Sequence, residues 1–216
     1  MLLPPTLLTD STEATVDNIF DITFIDNSAW RSAVTDVQVN GVSVGVGNWI
    51  LNEGHLLLDP VDIPSLQTPG NKDITIIANE YSVVSVQQYV AVGKFSEANS
   101  SVKPNAGLVP GPGKGFSMVL TAKDRYDNLI KGYQFKLDII INNNNPLNGE
   151  WVYYYNNRHM VSITADKLNL PSLTDGSGAT YPSFQWAPSG DRGDSTQIVW
   201  RDQDGNLIFT PTTVTY

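Results

Sequence analysis

The sequence predicts an all-β protein built from two tandem immunoglobulin-like β-sandwich domains, the first with one short helix. Three observations carry that expectation. Apolar residues alternate with polar ones over short runs, the period of strands half buried against a core. Turn signals of Gly, Pro, Asn and Asp recur between those runs about every 8–12 residues, the spacing of sandwich strands. Charge is divided unevenly: residues 1–94 hold 3 basic and 11 acidic side chains, a net of −8, while 95–216 hold 10 and 11, a net of −1. One core drawn from both halves would not explain that division, whereas a boundary at residue 94 does. A chain of 216 residues is long for one such sandwich and comfortable for two.

The clearest strand is Ile19 to Ile25, with Phe20, Ile22 and Phe24 on one face and Ile19, Asp21, Thr23 and Ile25 on the other. Asp26, Asn27 and Ser28 then offer helix N-caps before Ala29 to Val34, one or two helical turns. Val37 and Val39 restart alternation and enter Asn40-Gly41, a strong hairpin signal because both residues tolerate positive φ. Val42, Val44 and Val46 are expected to return along that hairpin. Further strands are expected at Trp49 to Leu51, Leu56 to Leu58, Ile74 to Ala78 and Val83 to Val92.

Residues 95–216 repeat the theme. A first strand is expected within Ser96 to Val102, and a Pro- and Gly-rich loop at Val109 to Gly115. Strands follow at Phe116 to Ala122, Tyr133 to Ile141, Trp151 to Tyr155, Met160 to Thr164, Phe184 to Trp186, Gln197 to Trp200 and Leu207 to Thr215. Asn142 to Pro146 reads as a surface turn. Asp124 to Ile130 echoes Asp202 to Ile208, as two hairpins with the same turn chemistry would.

Composition narrows the function. The chain has no cysteine and two histidines, His55 and His159, which removes disulfide frameworks, zinc fingers, iron–sulfur clusters and cysteine nucleophiles. A net charge of −9 argues against nucleic acid, whose phosphates need a basic stripe. No apolar run approaches the ~18 residues of a membrane span, so no membrane insertion is expected. Met1 to Pro5 lacks the basic start of a signal peptide and reads as the start of a fragment.

Ile22 to Val34, Val37 to Gly41 and Ile74 to Ala78 with Tyr81-Ser82 together resemble the haemoglobin-interacting domain of streptococcal haem-uptake receptors, a module also found in bacterial surface and surface-layer proteins. The block around Trp30 and Arg31 is the most specific part. The resemblance runs from Pro4 to Val92 and implies a small β-sandwich. Glu80 departs from it, standing where the family commonly has glycine before the tyrosine. Val119 to Asp124, leading through Asp127 to Gly132, resembles the bacterial immunoglobulin-like repeats of invasin-type adhesins, with Asp127-Asn128 in place of the usual Gly-Asn.

Several constellations could carry chemistry. Gly41-Val42-Ser43-Val44-Gly45 matches a nucleophile-elbow pattern, yet it opens at a hairpin and no helix follows, so the elbow's context is missing. Paired aspartates could serve glycoside hydrolysis, but turn chemistry accounts for each pair. Asp124 with Asp127, and Asp202 with Asp204, are the candidate metal ligands: these oxygen-rich loops would suit calcium, although Thr213 stands where an EF-hand has glutamate. No other cofactor is expected. Asp191 to Asp194 contains Arg-Gly-Asp, an integrin-binding tripeptide that recurs often by chance. Alternation puts Trp151, Tyr153 and Tyr155 on one face of a strand; if that face is exposed it suits sugar rings or a protein, and otherwise Trp151 is the buried sandwich tryptophan. The resemblance also raises haem, for which His55 and Tyr81 are the ligands to consider if they are exposed, although nothing in the sequence pairs them.

These readings imply a non-catalytic structural or adhesive module pair from a bacterial cell-surface or surface-layer protein, spacing or presenting the other domains of that protein. The resemblance places it outside the cell, on the cell surface or in the cell wall. The alternative is a ligand-binding module for cell-wall or other glycan, or for a host haemoprotein. An accessory domain pair from a polysaccharide-degrading enzyme is a third reading.

Overall fold

The computed structural model describes residues 1–12, 14–104, 115–142, 151–155, 159–163, 167–180, 183–185, 193 and 195–215, with part of the second half described by its backbone. The chain forms two compact units, Met1–Lys94 and Phe95–Tyr216.

In the first unit the strands are β1 (Leu7–Leu8), β2 (Phe20–Phe24), β3 (Val34–Val39), β4 (Val42–Ser43), β5 (Trp49–Asn52), β6 (His55–Leu58), β7 (Gly70–Ala78) and β8 (Val84–Val90). Helix α1 (Ser28–Ala33) lies between β2 and β3. Two antiparallel sheets result, ordered β1-β2-β6-β5 and β4-β3-β7-β8. Alternation builds the core: Phe20, Ile22, Phe24, Leu56 and Leu58 from one sheet are buried, as are Val37, Val39, Ile74 and Ile76 from the other. The helix carries the chain between sheets. Asn27 caps it, its Oδ1 accepting the Trp30 N–H at 3.1 Å. Trp30, fully buried, meets Phe24 edge-on with ring centroids 5.1 Å apart.

Several turns in this unit need positive φ. Asn40 at 52° and Gly41 at 77° form the tight β3–β4 hairpin that the dipeptide predicts. The return strand is shorter than the expected Val42 to Val46. It ends at Ser43, and the chain turns away through Gly45 and Gly47, both at positive φ, leaving Val46 90% exposed. Glu80 has φ 70°, a left-handed conformation that glycine adopts without strain and a residue with a Cβ does not.

In the second unit the strands are β9 (Ser101–Pro104), β10 (Gly115–Thr121), β11 (Gln134–Asn142), β12 (Trp151–Tyr155), β13 (His159–Ile163), β14 (Lys167–Leu173), β15 (Ala179–Thr180), β16 (Ser183–Gln185), β17 (Ser195–Arg201) and β18 (Thr212–Thr215). One sheet runs β13-β12-β16-β10-β15, with β9 also paired to β10, and the other runs β14-β11-β17-β18. Met118, Leu120, Phe135, Leu137, Ile139, Ile198 and Trp200 are buried between them. Phe95 anchors the entry of the chain, stacked on Tyr133 at 4.6 Å and edge-on to Phe209.

Several elements depart from expectation, among them β15, which no expected strand covers. β14 has no counterpart among the expected strands, and it contains Pro171, which lacks an N–H to give to a ladder. It is tolerated because β14 is an edge strand, where Pro171 lies opposite Lys136 and its other side needs no donor. The last strand begins at Thr212 rather than Leu207, because Leu207 bridges back to Arg201 and closes the turn after β17.

Candidate functional site

The two outer faces of the first unit differ in chemistry. On the β4-β3-β7-β8 sheet the outward residues are largely polar and bond one another. Ser43 Oγ donates to Asp36 at 2.6 Å, Gln38 Nε2 donates to the same carboxylate at 2.9 Å, and Gln87 Nε2 donates to Asp73 at 3.3 Å. The Ser43 and Gln38 hydrogen bonds hold the Asp36 carboxyl below its ordinary pKa. This also disposes of Ser43 as a nucleophile, since its described side-chain partner is an aspartate and no histidine is bonded to it.

The β1-β2-β6-β5 sheet is different. Its register lays two cross-strand rows on the outer face: Leu8, Thr23, His55 and Asn52 in one, Asp21, Leu57 and Ile50 in the other. Leu8 is 59% exposed, Ile50 56%, and Ile19, just before β2, 53%. At the centre His55 Nδ1 lies 3.0 Å from both carboxylate oxygens of Asp21, with both side chains about half exposed. Two grooves flank this pair. One, of about 480 Å³, is lined by Leu3, Pro4, Pro5, Leu8 and Ile25 near Asp26. The other, of about 120 Å³, is lined by Ile19, Trp49, Ile50 and Leu57, with Asp59 and Asp62 at its rim.

Cations are scarce here. Arg31 is held by Asp26 in a two-pronged pair, Nε to Oδ1 at 3.0 Å and Nη2 to Oδ2 at 3.2 Å, which keeps the Asp26 carboxyl below its ordinary pKa. Lys72 is only 5% exposed, donates to Thr68 Oγ1 at 2.8 Å, and is held below the usual lysine pKa by burial. Sequence reading missed this face. Each of its residues shows as an outward position of an alternating run, but their meeting depends on the register of four strands, and Asp21 and His55 are 34 positions apart.

The residues singled out from sequence fall as follows. Tyr81, a haem ligand to consider only if exposed, is 8% exposed, because the N-terminal segment lies across it, with Leu2 in a parallel bridge to Tyr81 and accepting the Ser82 N–H at 2.9 Å. Trp151, Tyr153 and Tyr155 occupy alternate positions of β12, opposite Ile163, Val161 and His159, and their side chains lie outside the described residues. So do Asn143 to Pro146, Asp191, Arg192 and Asp194. Trp200 is fully buried in the second core.

The two aspartate loops of the second unit repeat each other bond for bond. Asp124 N–H donates to Asn128 O at 3.0 Å, and Asp202 N–H donates to Asn206 O at 2.9 Å. The Asp124 carboxylate accepts Asn128 N at 3.0 Å and Nδ2 at 2.9 Å; that of Asp202 accepts Asn206 N at 2.8 Å and Nδ2 at 2.9 Å. Asp127 and Gly205 hold the same step at positive φ, 67° and 91°. Asp127 pairs with Lys123 at 2.9 Å, and Asp204 is exposed. Loop donors thus engage Asp124 and Asp202. Among the described residues no three His, Cys, Asp or Glu side chains gather as a metal site would need.

Residues 7–91 match the family model described as "Heme-binding protein Shr-like, Hb-interacting domain". No curated protein matches the chain in sequence. Among solved structures it is similar to the adhesin InvE of Yersinia pseudotuberculosis at 14% identity and TM-score 0.34, covering 98% of this chain and 58% of that one. It is similar to invasin, titled a bacterial integrin-binding protein, at 12% identity and TM-score 0.38, covering 99% and 39%. A β-glucuronidase of Parabacteroides merdae is similar at 14% identity and TM-score 0.32, covering 99% and 24%. The chain therefore spans 58% or less of each of these three structures.

Proposed function

We propose that this chain, with a haemoglobin-interacting-domain-like module over residues 7–91 and a second β-sandwich after it, is a non-catalytic adhesive and structural pair from a bacterial cell-surface protein. On this reading residues 1–94 make the contact and residues 95–216 form an immunoglobulin-like spacer that presents it, outside the cell and within a longer chain. The observation that carries the reading is the family match over the first unit. The exposed Leu8, Ile19 and Ile50 around the His55–Asp21 pair on one face of that unit are compatible with it, since exposed apolar side chains beside polar groups suit a protein contact. Because the matched family is named for haemoglobin interaction, a host haemoprotein is the first partner to test.

Glycan binding is the second reading, favoured by Trp151, Tyr153 and Tyr155 at alternate positions of β12. One set of measurements separates the two. The chain is run with haemoglobin on a sizing column and, in parallel, incubated with insoluble cell wall and common polysaccharides, with Trp151→Ala as control. Co-elution with haemoglobin that survives Trp151→Ala supports the protein contact. Retention on polysaccharide that the substitution abolishes supports the glycan reading. Neither result would leave a spacer and remove the adhesive function.

A further inference from the structure

We infer that the free edge of β8 is a strand-addition site: its backbone pairs with an extended, proline-free segment of a partner protein, rich in β-branched residues and neutral or basic. This goes beyond the contact proposed above and holds whichever protein supplies the segment. Sheet edges are templates for further strands, and proteins blunt them with short strands, lysine, proline or bulges. Among the described residues, three of the four edge strands in the first unit are short: β1 and β4 have two residues each and β5 has four. β8 has seven and pairs with β7 without a break in register. It lies within residues 83–92, which contain no charged residue, no proline and no glycine.

The bonding pattern identifies the backbone groups on offer. Asp73 in β7 turns towards β3: its N–H donates to Asn40 Oδ1 at 2.9 Å and its C=O accepts the Asn40 N–H at 2.8 Å. Bonding direction alternates along a strand, so Lys72 and Ile74 face β8, where Gln88 and Val86 stand opposite them. Ser85, Gln87 and Tyr89 therefore point their backbone groups away from the sheet, and all three residues are exposed. Ala91 continues the alternation and is already paired. Its N–H donates to Ala14 O at 2.7 Å, and its C=O accepts the Val16 N–H at 3.0 Å. Before β8, Leu2 bridges Tyr81 in the same parallel sense as Thr15 bridges Ala91. The N-terminal segment thus takes both ends of this edge and leaves the middle. There, among the described residues, the Tyr89 carbonyl alone of the outward groups has a partner, the Gln88 side-chain amide at 2.7 Å.

A groove of about 440 Å³ borders Gln87 and Tyr89, with residues 9–12, 14 and 15 as its far wall. Buried Gln88 fixes that wall, its Oε1 accepting the Asp10 N–H at 2.8 Å and its Nε2 donating to Asp10 O at 3.0 Å. A row of N–H and C=O groups at strand spacing is matched by another extended backbone, which sets the class of ligand. Its side chains follow from their neighbours. Exposed Tyr89 favours a β-branched or aromatic residue across from it. Asp10 lines the groove, Asp73 is bonded to Gln87, and residues 1–94 carry a net of −8, so lysine or arginine is favoured over acidic residues. The same net charge acts against a second copy of the unit.

Panning a phage-displayed library of random peptides on the full chain supplies the probe, and the enriched peptide is then synthesised. Enriched sequences should lack proline and acidic residues and carry Val, Ile or Thr with Lys or Arg. Residue-resolved hydrogen exchange reads the site. In the free chain the Ser85, Gln87 and Tyr89 amides should exchange fast and those of Val86 and Gln88 slowly; the peptide should slow the first three about tenfold or more. Gln87→Pro deletes an N–H that the β7 ladder does not use, a change edge strands tolerate. It should weaken binding about tenfold while the melting temperature changes little. N-methylation of the peptide tests the same point on an unaltered protein. Methyl groups on alternate residues block one edge of a strand, so one of the two alternate sets should abolish binding and the other should spare it. No enrichment, enrichment of acidic or proline-rich peptides, unchanged exchange at the three amides, full binding by folded Gln87→Pro, or equal binding of both methylated forms would each overturn the inference. So would slowing of these amides on concentrating the chain alone, which would make the occupant a second copy. Haemoglobin enters none of these steps, so failure here leaves the haemoglobin reading standing, and failure of that reading leaves this one.

Discussion

Glu80 sits at φ 70°, a left-handed conformation that costs a residue with a Cβ roughly 1–2 kcal/mol. Glu80→Gly should remove that strain, partly offset by the extra freedom glycine has when unfolded. The expected outcome is a first unit melting a few degrees higher, read by calorimetry; a lower melting temperature would show that the glutamate side chain contributes more than its backbone costs. The twin loops allow a matched comparison. Asp124 is fully buried while Asp202 is partly exposed, and both accept the same donors from an asparagine four residues on. Stranding buried donors costs roughly 1–3 kcal/mol, and water replaces the lost acceptor at an exposed site. Asp124→Ala should therefore lower stability by about that amount, and Asp202→Ala by visibly less. Equal losses in denaturant titrations would refute burial as the cause.

Helix α1 has only six residues, too few to hold itself in water, so its cap and its one buried side chain carry it. Asn27→Ala removes the acceptor for the Trp30 N–H and should cost about 1 kcal/mol. In a unit of this size that is a fall of roughly 4–8 °C in melting temperature. Asn27→Asp or Asn27→Ser should restore most of it, and a failure of both to do so would mean the loss arises elsewhere. The edge strand β14 makes the complementary point. Its Pro171 is compatible with pairing because only one side of the strand has a neighbour, which a residue-by-residue reading of the sequence could not supply.

Across the whole chain, carboxylates in both units are held below their ordinary pKa: Asp26 by Arg31, Asp36 by Ser43 and Gln38, Asp175 by Ser177, and Asp202 by Asn206. A carboxylate that is more acidic folded than unfolded contributes stability that is complete above the unfolded value of 3.8 and is lost as pH falls through the folded value. Melting temperature from these groups should therefore be level down to that region and drop below it. Asp36→Asn should flatten part of the acid limb for the first unit; a limb that steepens instead would place the sensitivity in other groups. Lys72 acts with the opposite ion. Burial disfavours its charged form, so the folded state is penalised at neutral pH and gains as pH rises from the lowered folded pKa toward the ordinary value of 10.5. Lys72→Met should raise the melting temperature at pH 7, and an unchanged value would mean that the Thr68 contact offsets the burial.

The amino-acid sequence by itself determined the class of structure and most of its strands. Period-two alternation, Asn40-Gly41 and the Asn27 cap are local signals, and local backbone preferences are enough to read them. The aspartate turns belong with these, because an Asp and an Asn four residues apart close the same loop wherever they occur. What only the tertiary structure decided depends on partners distant in the chain. Asp21 and His55 meet because β2 and β6 pair in one register, and a slip of one residue would turn both inward. Leu57 and Ile50 lie side by side because β6 and β5 pair in one register, and Tyr81 is buried because Leu2 lies beside it. Alternation says that a strand has two faces; which of them a second sheet covers is settled by packing, and the candidate site is the face left uncovered.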